Sequence, residues 1–167
     1  SADVEEVDDL YIIEEISAWE YNITDDEIMS VWAVFCLENP RYYWLSNSVI
    51  VRDNTLVLCI DEAYANAAYR KTCDEAVDTL IENCSTAISA CETEIDIARG
   101  IHDYVLEQLV YAYESDGTTP KDDIWAHNII GCAQYNSGVC EAYAKTYQML
   151  CLLNGVDCII VAGNVRY

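Results

Sequence analysis

Gln134-Tyr135-Asn136-Ser137-Gly138-Val139-Cys140-Glu141-Ala142-Tyr143-Ala144 is the most informative stretch of this 167-residue chain. Asn136, Ser137 and Gly138 interrupt regular structure, so 134–139 reads as a loop. A helix is expected to begin at or near Cys140 and to run to about Leu153, where Asn154-Gly155 ends it. Cys140 would then meet the positive end of the helix dipole and unpaired amides, a setting that favours the nucleophilic thiolate. Gly138 lets the chain turn tightly before it, and Ala142 and Ala144 keep the helix start slim. The plainer alternative is that Cys140 packs as a small hydrophobe, like Cys132 and Cys151 beside it.

Beyond this helix, 157–162 is a short apolar run bounded by Gly163, and it predicts a buried strand. Upstream, 125–133 predicts a short helical piece, and 115–123, with Asp116-Gly117 and Pro120, a loop. Apolar spacing predicts two longer helices, from Thr93 to about Tyr111 and from Asp61 to about Ala90. Ser48 to Arg52 and Thr55 to Ile60 are β-prone runs joined by Asp53-Asn54, the pattern of a two-residue hairpin. Thr24-Asp25-Asp26-Glu27 reads as a capping box that starts a helix bearing Ile28, Val31, Trp32 and Phe35 and stopping before Pro40. Val4, Val7, Leu10, Tyr11 and Ile13 recur at helical spacing, so 1–40 reads as a helical N-terminal extension.

Composition narrows the function. Hydrophobic residues make up 53% of the chain, too many for a disordered acidic tail. Thirty acids against eight bases give a net charge of -22. Such a surface repels phosphate backbones and anionic membranes, so nucleic acid is not expected as a partner. The apolar runs are too short for a membrane span, and the polar opening Ser1-Ala2-Asp3-Val4-Glu5-Glu6 is no signal peptide. No calcium loop and no Cys-x-x-Cys pair occurs, so neither a metal nor another cofactor is expected. The nine cysteines are an odd number, which leaves at least one thiol outside any intrachain disulfide. Thirteen tyrosines and four tryptophans are read first as core and boundary residues, and only second as a sugar-stacking surface.

Gly138-Val139-Cys140-Glu141-Ala142-Tyr143-Ala144, its Leu-rich helix and Gly155-Val156-Asp157-Cys158-Ile159-Ile160-Val161-Ala162-Gly163 together resemble the core of bacterial transglutaminase-like domains. These belong to the papain-like cysteine peptidase superfamily. Asn39-Pro40-Arg41-Tyr42-Tyr43-Trp44, Ile101-His102-Asp103-Tyr104-Val105, Tyr111-Ala112-Tyr113 and His127 to Gly131 are similar to segments ahead of that core. The resemblance spans about 40–163. It implies an α+β fold in one module over 1–167, with a helix-rich first half and the nucleophile-position helix packed on an antiparallel sheet.

The resemblance also implies chemistry. Cys140 is the nucleophile position, and Gln134, six residues earlier, matches the glutamine that donates to the oxyanion hole in papain-like proteases. The expected reaction is thiol-dependent acyl transfer on an amide of a protein or peptide substrate, by hydrolysis or transfer. The family places its histidine and aspartate on strands after Gly163, whereas His102 and His127 lie upstream and no histidine follows Cys140. The module is therefore expected to be catalytically incomplete as it stands, truncated ahead of those strands. His127 folding back toward Cys140 is one alternative for the base. A recognition module that keeps the fold without catalysis is the rival of a different class. Acidity and few lysines suit a secreted or cell-surface bacterial protein, with other modules of a larger secreted protein as further partners.

Overall fold

A computed structural model describes residues 5–7, 10–17, 24–47, 49–52, 55–161 and 163. They form a mixed α+β structure. In chain order its elements are β1 (Glu5–Val7), β2 (Leu10–Ser17), α1 (Asp25–Glu38), β3 (Ile50–Arg52), β4 (Thr55–Ile60), α2 (Ala67–Ala87), α3 (Glu94–Gln108), β5 (Val110–Tyr111), α4 (Ile129–Tyr135), β6 (Ser137–Gly138) and α5 (Cys140–Leu153). The chain divides into two compact units, Ser1–Asp74 and Glu75–Tyr167, with the boundary inside α2.

In the first unit an antiparallel sheet has the order β1-β2-β4-β3. The expected hairpin is there: Arg52 pairs with Thr55, and its turn residues, Asp53 and Asn54, lie outside the described residues. The helical reading of 1–40 is corrected at its start, because Glu5–Val7 and Leu10–Ser17 are strands. β2 pairs with β4 from Tyr11↔Ile60 to Ser17↔Thr55. Its register shifts between Ile12 and Glu14, and sheet pairing overrides a weak helical periodicity. The capping box of α1 forms as expected. Glu27 Oε2 accepts the Thr24 amide at 2.8 Å, and Thr24 Oγ1 accepts the Glu27 amide at 3.3 Å. The helix ends at Glu38, ahead of a 3₁₀ turn at Pro40–Tyr42. Trp32 of α1 is buried with Leu45 and Val49, and its indole N–H donates to Ser46 O at 3.0 Å.

In the second unit α3 starts at its N-cap Thr93, whose side chain accepts the Asp96 amide. The predicted 125–133 helix is broken in two. Ile124–His127 is a 3₁₀ turn, and Asn128 then caps α4 by accepting the Ile130 amide at 2.9 Å. α5 has the predicted bounds, and Gly155, at φ 76°, follows its end. It packs on α3, α4, the 3₁₀ turn and β6. The two-stranded sheet of this unit, β5-β6, is parallel.

The strand expected at 157–162 is not formed over the described residues of that run. Val156 is buried, while Asp157, Ile159 and Val161 are exposed and Cys158 and Ile160 are half-buried. The segment therefore covers one face only. Apolar composition alone could not tell a one-sided cover from a strand buried on both faces.

Candidate active site

The route to Cys140 is built from backbone pairing. α4 ends at Asn136, which takes the left-handed conformation at φ 48°, one that asparagine tolerates better than most residues. Ser137 and Gly138 then run parallel to Val110 and Tyr111, with the Ala112 amide donating to Gly138 O at 3.0 Å. The Val139 amide donates to Ala126 O at 2.9 Å, and α5 begins at the next residue. Beneath this junction Ala112, Ala126 and Val139 form a small buried cluster, with Tyr111 and Trp125 packed against it.

Gly138 is needed here for a different reason from the tight turn expected of it. A Cβ at that position would lie 2.6 Å from the Ala142 Cβ. Glycine lets the strand and the first turn of α5 approach closely. Gly131 plays the same part in α4, where a Cβ would come within 2.5 Å of Ser137 O.

Cys140 is the first residue of α5 and is exposed, while the other eight cysteines are buried or half-buried. The N-cap residue Val139 offers no side-chain acceptor to the first amides of the helix. Cys140 opens onto a groove of about 470 Å³ between α3 and α5. His102, Val105 and Leu106 line it from α3, and Tyr143, Ala144 and Tyr147 from α5. Tyr111 completes the wall at the Cys140 end.

Sequence reasoning missed Tyr111 as a site residue. Its hydroxyl lies beside the backbone and the side chain of Cys140, both of which bear on its titration. Burial, and then the neighbouring Cys140, push its phenol above the usual value. The parallel pairing of Tyr111 with Gly138 brings it there. The sequence signal there is the resemblance of Tyr111-Ala112-Tyr113 to a family segment, and it does not name a partner strand. Its ring also stacks at 6.3 Å on Tyr143 and lies 4.8 Å from that of Tyr113.

Gln134 is the penultimate residue of α4, half-buried, and not among the residues lining the groove. His127 does fold back to the start of α5, but its ring meets Glu141, with Nδ1 at 3.2 Å from Oε2. The other oxygen of Glu141 accepts from Lys145 at 2.7 Å. His102 lines the groove, and its Nδ1 lies 2.9 Å from Asp103 Oδ1. Among the described residues no cluster of His, Cys, Asp and Glu could hold a metal ion, and no helix is long and apolar enough to cross a membrane. No protein-family model matches the chain, and no curated protein matches it.

Proposed function

We propose that the second unit is a thiol-dependent acyl-transfer module of the transglutaminase-like, papain-related kind, in which Cys140 attacks the carbonyl carbon of an amide in a protein or peptide. The observation that carries this reading is an exposed cysteine at a helix start, opening onto an apolar groove. The groove would hold an apolar side chain next to the scissile amide. The tetrahedral oxyanion would form beside the Cys140 amide, the place where a backbone donor counts most. Tyr111, which lines the groove beside Cys140, would turn its hydroxyl to it as the side-chain donor, and Gln134 is the donor the family resemblance supplies.

Proton transfer is the weak part of this machinery. Among the described residues each imidazole is bonded to a carboxylate, His102 to Asp103 and His127 to Glu141. General acid–base help is worth roughly 100- to 10,000-fold. The expected outcome is therefore acylation of Cys140 by an activated aryl ester, with little turnover of an unactivated amide. Intact mass after incubation with an apolar aryl ester reads the first, and release of amine from a peptide reads the second. Acylation that persists in Cys140→Ala would sink the reading.

The carboxylate-bound histidines also favour a second reading, a recognition module whose groove takes an apolar peptide segment without chemistry. Peptide binding that is unchanged in Cys140→Ala, with no acylation of the native chain, would select it.

A further inference from the structure

Three thiols gather at the end of α5 away from Cys140. Cys151, in the last turn of α5, and Cys84, in α2, have no exposed surface, whereas Cys158 is half-buried in the segment after the helix. The chain reverses there. The Asn154 amide donates to Cys151 O at 3.0 Å, Gly155 takes φ 76°, and the Val156 amide returns to Cys151 O at 2.9 Å. Gln148 Nε2 then donates to Cys158 O at 3.4 Å, which holds the returning segment along the helix. The side chains of Cys158 and Tyr147 both lie close enough to that of Cys151 to bear on its titration, and the Tyr147 hydroxyl donates to Ala98 O at 3.3 Å.

Packing alone would explain a buried cysteine pair. This pair has one half-buried member, Cys158, on a segment outside any strand ladder, and the Val156 and Gln148 bonds keep that segment alongside the last turn of α5. We propose that Cys151 and Cys158 form a reversible disulfide, a redox-modification site that takes a low-molecular-weight disulfide as its oxidant. Cys158 loses its proton and attacks one sulfur of the oxidant. The oxidant's S–S bond breaks, and one thiol leaves carrying a proton. Cys151 then loses its proton and attacks the Cys158 sulfur of the mixed disulfide, and the second thiol leaves protonated. Two protein thiols are oxidised and one disulfide is reduced. Burial pushes the Cys151 thiol above its usual value, so the second step is the slower and quickens as pH rises. The product ties the returning segment to α5. This inference is independent of the chemistry at Cys140, which lies about 16 Å away along the helix axis and out of disulfide reach.

The test uses the native chain incubated with oxidised glutathione, quenched in acid, alkylated and cleaved ahead of Asp157. A species joining the Cys151 and Cys158 peptides is expected, lighter by two hydrogens and split by dithiothreitol. Cys158→Ser should abolish it and leave Cys151 reduced. Cys151→Ala should instead trap Cys158 as the glutathione mixed disulfide. If that buried substitution prevents folding, read by circular dichroism, the Cys158→Ser arm decides alone. The proposal is overturned if both thiols of the native chain stay reduced, if Cys158 stops at the mixed disulfide, or if Cys151 pairs with Cys84.

Discussion

Single atoms decide the start of α5. Gly138 leaves room for the Ala142 Cβ, so Gly138→Ala forces a contact that neither backbone can easily relieve. Overpacking of this kind costs roughly 1–3 kcal/mol. Urea denaturation should show that loss. Adding Ala142→Gly should return part of it, although the glycine so introduced costs about 1 kcal/mol of its own in a helix. Cysteine reactivity makes a second test. Burial pushes the thiols of Cys84 and Cys132 up to about 11, and raises those of Cys59 and Cys151. Near neutral pH these four are both hidden and almost wholly protonated, so iodoacetamide should label exposed Cys140 first. Peptide mapping after brief exposure checks this, and early label on Cys132 or Cys84 would contradict it.

At the scale of elements, local signals worked where neighbours a few residues apart settle the structure. The Thr24–Glu27 box, the Thr93 cap and the Asn154-Gly155 stop involve residues close in sequence. The loop after β5 belongs to the same class. The Thr119 hydroxyl donates to Asp116, as do the amides of Thr118 and Thr119 at 2.9 and 2.8 Å, and these bonds hold its carboxyl down to about 2. A carboxyl lowered by folding stabilises the native state fully above its unfolded value of 3.8, and the contribution fades as pH falls through about 2. The amide resonances of Thr118 and Thr119 should therefore titrate with a midpoint near 2. A midpoint near 3.8 would mean that the turn is not held in solution. Elements that need a distant partner are not legible in the sequence: the spacing over β1 and β2 predicts helix, no local pattern marks β5 or β6, and 157–162 predicts a strand that is not formed over its described residues. In each case the deciding hydrogen bonds, or their absence, lie outside the window that periodicity reads.

For the molecule as a whole, charge is the feature that needs no coordinates. A net charge of -22 stores self-repulsion that the folded state must overcome. Raising sodium chloride from about 10 mM to about 500 mM shortens the screening length from about 30 Å to a few ångströms, so the thermal midpoint should rise by a few degrees. A midpoint that falls, or does not move, would show that specific ion pairs outweigh the general repulsion. The sequence by itself determined the mixed helix and strand content, the bounds of α5 and the position of Cys140 at its first residue. Those follow from caps, breakers and short-range spacing. Only the tertiary structure decided what surrounds that cysteine. Tyr111 reaches it through parallel pairing across about 25 residues, His127 turns to Glu141, and α3 supplies the far wall of the groove. Such contacts depend on which surfaces meet once loop closure and burial are balanced over the whole unit, and no local pattern encodes that balance.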